Sequence, residues 1–188
     1  MDIVRKFRAY RSKKLEKVAQ PLVKAGLAAN HLTFLSLLSG ITAIYYLFSS
    51  YYLFALFALL HLLCDGLDGV VARITKPTLF GKYADLLSDS AVTFLILLKA
   101  GFYLQEFYAY IAAGSFLLAL LIHLRSRLQA PMLFLRTISV ALLLVVTHPS
   151  FPFTSTAITT GYLAAGGVSV FSLARQLQWY LAKKNQKG

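Results

Sequence analysis

The sequence predicts an all-α integral membrane protein, with six transmembrane helices preceded by an amphipathic juxtamembrane helix. Three observations predict it. Apolar residues make up 58% of the 188-residue chain and charged residues only 14%, whereas a soluble globule is roughly half apolar and about a quarter charged. From residue 31 the apolar runs approach the ~20 helical residues that cross a bilayer. The net charge of +12 comes from basic residues that an even number of spans gathers on one side. With so little charge, most of the surface must face something other than water. That excludes disorder, a soluble nucleic-acid-binding domain and an ordinary water-soluble core. The length fits one domain.

Residues 1–30 read as the basic juxtamembrane segment. Arg5, Lys6, Arg8, Arg11, Lys13, Lys14, Lys17 and Lys24 stand against Asp2 and Glu16, while Ile3, Val4, Phe7, Leu15, Val18 and Leu22 recur at three- and four-residue spacings. This suits a helix lying on an anionic membrane surface; a solvated basic tail is the plainer alternative. The segment has no short apolar core with a small-residue cleavage site, so no secretory leader is expected. Residues 31–182 read as the six-helix transmembrane domain and 183–188 as a basic cytoplasmic tail.

The six spans are expected at 32–48, 52–73, 83–101, 107–127, 132–148 and 157–179. They are separated by Ser49-Ser50, a 75–81 loop containing Pro77, a break at Gln105, the 129–131 stretch ending in Pro131, and a proline-bearing 148–155 stretch. On this topology 18 of the 19 Lys and Arg residues lie on the side of the N-terminus, and only Lys99 lies opposite. Both termini are therefore expected in the cytoplasm, with the protein in the cytoplasmic membrane. The lone cysteine, Cys64, cannot form an internal disulfide.

Four of the seven acids fall within 25 residues: Asp65, Asp68, Asp85 and Asp89. Asp65 and Asp68 are spaced i, i+3 near the end of the second span. Asp85 and Asp89 are spaced i, i+4 near the start of the third. Each spacing puts a pair on one helix face, and the short connection makes the two helices antiparallel neighbours. Ionised carboxylates gathered at a membrane border are costly without a cation. An all-oxygen donor set suits Mg²⁺ or Mn²⁺. Solvated helix-end carboxylates are the structural alternative. Gly66 and Gly69 remove bulk where a helix or a ligand comes close.

The full pattern is Asp65-x2-Asp68-Gly69-x2-Ala72-Arg73-x7-Gly81-x3-Asp85-x3-Asp89. It resembles the signature of the CDP-alcohol phosphotransferases (CDP-alcohol phosphatidyltransferases) at all eight defined positions. Asn30-His31-Leu32-Thr33 is similar to the family's Pro-Asn-x-x-Thr start of the first span, with Ala29 in place of the proline. The resemblance implies a phospholipid-synthesising transferase. It would move a phosphatidyl-type group, diacyl or archaeal diether, from a CDP-linked lipid to an alcohol and release CMP. It implies Asp65, Asp68, Asp85 and Asp89 as ligands of two metal ions, with Asp89 also the catalytic general base. It implies Asp65, Asp68, Gly69, Ala72, Arg73 and Gly81 on the CDP moiety, with Thr78 as a nucleotide contact or simply a loop threonine. It further implies membrane lipids as surroundings, a homodimer, and no nucleic-acid partner.

Arg125, Arg127, Arg136 and Arg175 share the expected depth and side of the aspartates. Guanidinium groups grip phosphate with a planar fork, and Arg136 and Arg175 are embedded in apolar runs. Arg125-x-Arg127 and Leu135-Arg136-Thr137 loosely resemble stretches that hold the acceptor phosphate in inositol-phosphate-using relatives. The favoured acceptor is therefore myo-inositol 1-phosphate, then glycerol 3-phosphate, with serine open. The alternative is that these arginines snorkel to lipid headgroups. A cation transporter is the rival from another class, but no acid continues the cluster outward through the spans. His31, His61, His123 and His148 are scattered and read as packing or interfacial residues. The many Tyr and Phe residues near span ends read as an interfacial belt.

Overall fold

The computed structural model describes residues 15–185, and every regular element among them is a helix. α1 covers Leu15–Lys24. The others are α2 (Ala29–Tyr46), α3 (Tyr51–Thr75), α4 (Leu79–Leu104), α5 (Phe107–Arg125), α6 (Arg136–Val146) and α7 (Thr154–Asn185). Residues 1–14 of the expected juxtamembrane helix and 186–188 of the tail lie outside the described residues. Four helices, α3, α4, α5 and α7, are long and apolar enough to cross a membrane, and α1 with α2 makes a fifth if that bent pair is counted as one span. Large apolar side chains such as Phe34, Leu56, Phe102 and Leu118 are exposed along these helices. A water-soluble surface does not carry so much of this, and the protein is membrane-embedded.

Of the described residues, one compact unit takes 15–46 and 52–89, the other 47–51 and 90–185. In the first unit, Ala19 of α1 is buried in a cluster with Leu32 of α2 and Leu67, Val70 and Val71 of α3, bordered by Leu15, Leu22, Val23 and Ala29. Glu16, Lys17, Gln20 and Lys24 are exposed. Leu15, Ala19, Leu22 and Val23 of α1 thus pack on α2 and α3, while Val18, also expected on the lipid-facing side, is exposed. The same helical period serves either surface. α1 stops in a Schellman turn: Leu27 N donates to Leu22 O at 3.0 Å and Gly26 N to Val23 O at 3.0 Å. Gly26 occupies the left-handed position at φ 82°, where glycine avoids the Cβ clash. The turn sends α2 off at 112° to α1. Further along α2, Ser36 meets buried His61 of α3, with its Oγ 2.9 Å from Nδ1. This histidine packs two helices together, as its isolation in the sequence suggested.

In the second unit, α5 packs along α7. Ala109, Ala112, Ala113 and Phe116 share a core with Leu97 of α4 and Tyr162 and Ala165 of α7. Small residues let the backbones approach, as membrane helices require: a Cβ on Gly166 would stand 3.1 Å from Ala112 Cβ. The Glu106 carboxylate ahead of α5 accepts hydrogen bonds from the Tyr162 hydroxyl and from Thr159 Oγ1 at 3.3 Å, tying α5 to α7.

The helix bounds depart most from the expected spans at α4, α6 and α7, the last running from Thr154 to Asn185 where 157–179 was expected. α4 begins at Leu79 rather than 83, because Thr78 caps it: Gly81 N donates to Thr78 Oγ1 at 3.0 Å. The expected span 132–148 contains only the 11-residue α6. At ~1.5 Å per residue such a helix reaches about 16 Å, half of a ~30 Å hydrocarbon core. The residues before it are non-helical, and their polar groups are met by side chains. Ala130 N donates to Ser126 Oγ at 2.9 Å, His123 Nδ1 donates to Ala130 O at 2.6 Å, and Leu133 N donates to Ser172 Oγ at 3.2 Å.

Candidate metal and nucleotide site

α3 and α4 carry the aspartates. Both helices are uninterrupted through the motif, so the i, i+3 and i, i+4 spacings act as the sequence suggests. Asp65, Asp68 and Asp85 each offer one carboxylate oxygen to a group in which these atoms lie within 4.8 Å of one another. Asp68 is buried, Asp65 half-buried and Asp85 exposed. Asp89, one turn further along α4, stays outside that group. The donor set is all oxygen, the chemistry of a hard divalent cation. The residues fit such an ion.

A cavity of about 440 Å³ opens beside the cluster within the first unit. Asp68, Gly69 and Ala72 of α3 line it, with Thr78 and with Gly81 and Asp85 of α4, so most of the residues expected on the CDP moiety are brought together. Gly69 faces this space: a Cβ there would have only Arg73 Nη1 near it, at an ordinary 3.8 Å. Packing therefore does not demand glycine at 69. Gly66 lies under α1, with Leu15 Cδ1 3.7 Å from the place a Cβ would take. Gly81 is tight, since a Cβ would meet Asn30 Oδ1 and Thr78 Oγ1, each at 3.1 Å.

Several other lining residues had no site role from the sequence, which noted Asn30 and Thr33 only as a likeness to the family's span start. Asn30 and Thr33 come from the first turn of α2, and Lys76 and Lys82 flank the start of α4. Thr33 Oγ1 donates to Asp68 Oδ2 at 2.8 Å. The signal was present, as two polar residues at i, i+3 opening an apolar helix, but nothing local names their partners.

The four arginines belong to the second unit. Arg125 closes α5 and is exposed, as is Arg127 just after it. Arg127 adopts φ 56°. Its N–H reaches Leu124 O at 3.0 Å, and Leu128 N reaches His123 O at 2.9 Å. This is a second Schellman turn, with arginine at the position glycine favours. Arg136 is buried in the first turn of α6. Arg175 is exposed on α7 and lines a groove of about 350 Å³ with Leu133, Phe171 and Ser172.

No curated protein and no solved structure matches the chain at the significance applied. A family profile does match: residues 26–180, which hold the carboxylate cluster, its cavity and all four arginines, fit CDP-alcohol phosphatidyltransferase. With most of its length matched and a three-carboxylate group where that chemistry needs one, this membrane protein belongs to the CDP-alcohol phosphatidyltransferase family.

Proposed function

We propose that the protein transfers a phosphatidyl-type group from a CDP-linked lipid to an alcohol, releasing CMP, and that the acceptor is a phosphorylated alcohol, myo-inositol 1-phosphate first. The observation that carries the reading is the convergence of Asp65, Asp68 and Asp85 beside a cavity lined by Gly69, Ala72 and Gly81.

In this reading Asp65, Asp68 and Asp85 hold Mg²⁺ or Mn²⁺, with Asp89 completing a site for two ions. Bound there, the ions would neutralise the donor pyrophosphate and the charge left on CMP. Gly69 and Ala72 leave room for the nucleotide, Arg73 supplies a cation near it, and Thr78 shapes the helix start that Gly81 crosses. Asp89 takes the proton from the acceptor hydroxyl. The acceptor oxygen bonds to the lipid-side phosphorus, the pyrophosphate bridge breaks, and CMP leaves. Arg125, Arg127, Arg136 and Arg175 would grip the acceptor phosphate. Support comes from Arg136, which is buried in the first turn of α6, a placement that does not suit a purely headgroup-facing arginine.

The reading includes six crossings within 31–182 and both termini in the cytoplasm. The non-helical stretch before α6 supports the fifth crossing, because irregular backbone is tolerated at membrane depth only where protein groups satisfy it. Here Ser126, His123 and Ser172 do so.

The test is CMP release from a CDP-linked lipid by the purified protein, with a panel of labelled acceptors and with EDTA. The expected outcome is EDTA-sensitive release, fastest with myo-inositol 1-phosphate. Faster incorporation of free serine or free inositol than of either phosphate ester overturns the acceptor. Release that persists in EDTA overturns the metal centre.

A further inference from the structure

The hydrogen bond from α2 to Asp68 joins residues 35 positions apart and buried on both sides, Thr33 at 7% and Asp68 at 5% exposure. Thr33 Oγ1 lies 2.8 Å from Asp68 Oδ2 and 3.2 Å from Ala29 O. A hydroxyl has one proton, and the carboxylate is both the nearer and the charged acceptor, so the proton goes there. Threonine suits the task because branching at Cβ leaves its χ1 stiff. The helix of Thr33 is itself fixed, since its first turn borders the core that holds Ala19, Leu32 and Leu67.

We propose that Thr33 is a positioning residue for the carboxylate cluster: its hydroxyl fixes the orientation in which Asp68 meets a divalent cation. This rests on the metal centre proposed above. The bond engages Oδ2 and, together with a local contact to the Gly69 backbone, still leaves carboxylate lone pairs for an ion shared with Asp65 and Asp85. Without it, the carboxylate keeps only that contact on its own helix, and nothing from α2 selects the orientation in which it meets its neighbours. Groups that orient a ligand in this way typically change metal affinity by about 10–100-fold when lost.

The test measures Mn²⁺ binding to the full chain in detergent, with no nucleotide, from the electron-paramagnetic signal of free Mn²⁺. CMP release is followed in parallel. Thr33→Val keeps the shape and removes the hydroxyl; Thr33→Ser restores it. Thr42→Val makes the same chemical change elsewhere on α2, where the hydroxyl only meets Leu38 O. The expected result is a Mn²⁺ dissociation constant raised about tenfold or more by Thr33→Val, near wild type for Thr33→Ser and Thr42→Val. The loss of CMP release in Thr33→Val should be partly recovered at high Mn²⁺. If the valine variant does not elute as a single species, Thr33→Ala removes the same hydroxyl with a smaller side chain. Affinity within twofold of wild type in a folded Thr33 variant lacking the hydroxyl overturns the positioning role and leaves the proposed function standing. Wild type that binds no Mn²⁺ overturns both.

Discussion

Gly69 and the aspartates around it separate what folding needs from what chemistry needs. A Cβ on Gly69 meets nothing closer than 3.8 Å, so Gly69→Ala should fold, with the helix favoured by up to ~1 kcal/mol. The same methyl enters the cavity. We expect an unchanged or raised melting temperature and a CDP-lipid KM raised several-fold; an unchanged KM would remove Gly69 from the nucleotide site. The aspartates divide by position. Asp68 is buried in the three-carboxylate group, so Asp68→Asn should weaken Mn²⁺ and nucleotide binding together. Asp89 lies outside that group, and Asp89→Asn should cut kcat by about 10²–10⁴-fold, the span of a general base, while CDP-lipid binding survives. Near-normal turnover in Asp89→Asn would refute the base role. The aspartates were legible because their spacing is local to two helices. Thr33 was visible only as part of a family-like span start; its bond to Asp68 was not, since the partner lies 35 residues away and only packing brings them together.

The Schellman turns that close α1 and α5 make a matched pair with opposite expectations. α1 ends with Gly26 at φ 82° and α5 with Arg127 at φ 56°. A side chain in the left-handed region costs roughly 1–2 kcal/mol. Gly26→Ala should therefore lower the melting temperature by loosening the 112° turn that places Thr33 and Asn30. Arg127→Gly should raise it. If Arg127 holds the acceptor, the stabilised variant also shows a higher KM for the phosphorylated acceptor and an unchanged KM for CDP-lipid. A variant that is more stable and equally active would return Arg127 to an ordinary loop residue. The long helices were readable from their apolar runs, and α3, α4, α5 and α7 start and stop within a few residues of the expected spans, α7 running furthest past its own. Thr78 lies in the connecting loop as expected, but its capping of α4 was not foreseen, because a threonine beside a proline signals a plain loop as readily. α6 was overestimated because residues 132–148 look uniformly apolar. The residues ahead of it are instead bonded by Ser126 and His123 nearby and by Ser172 from α7, and the last of these lies 39 residues away, beyond any local pattern.

Topology ties the charge of the whole chain to its chemistry. Eighteen of nineteen basic residues fall on one side only if the chain crosses six times, yet four helices pass as spans alone, and five with the bent pair. The remaining crossing depends on α6 and the seven residues ahead of it. Extended chain covers at most ~3.3 Å per residue, so those residues add up to about 23 Å to the ~16 Å helix, enough for a ~30 Å core. A five-span chain would put α7's Lys183 and Lys184 on the opposite side from Lys17 and Lys24, against the basic-side preference. Single cysteines decide it, because native Cys64 is buried and adds little background. In sealed vesicles of known orientation, Gln105→Cys should react with a membrane-impermeant maleimide from the face opposite to Gln129→Cys and Lys184→Cys. All three positions are exposed. Labelling of Gln129→Cys and Lys184→Cys from opposite faces would mean that α6 does not cross. The acceptor arginines on α5 and α7 would then lie on different sides of the membrane, and a shared phosphate pocket would be lost with the sixth span.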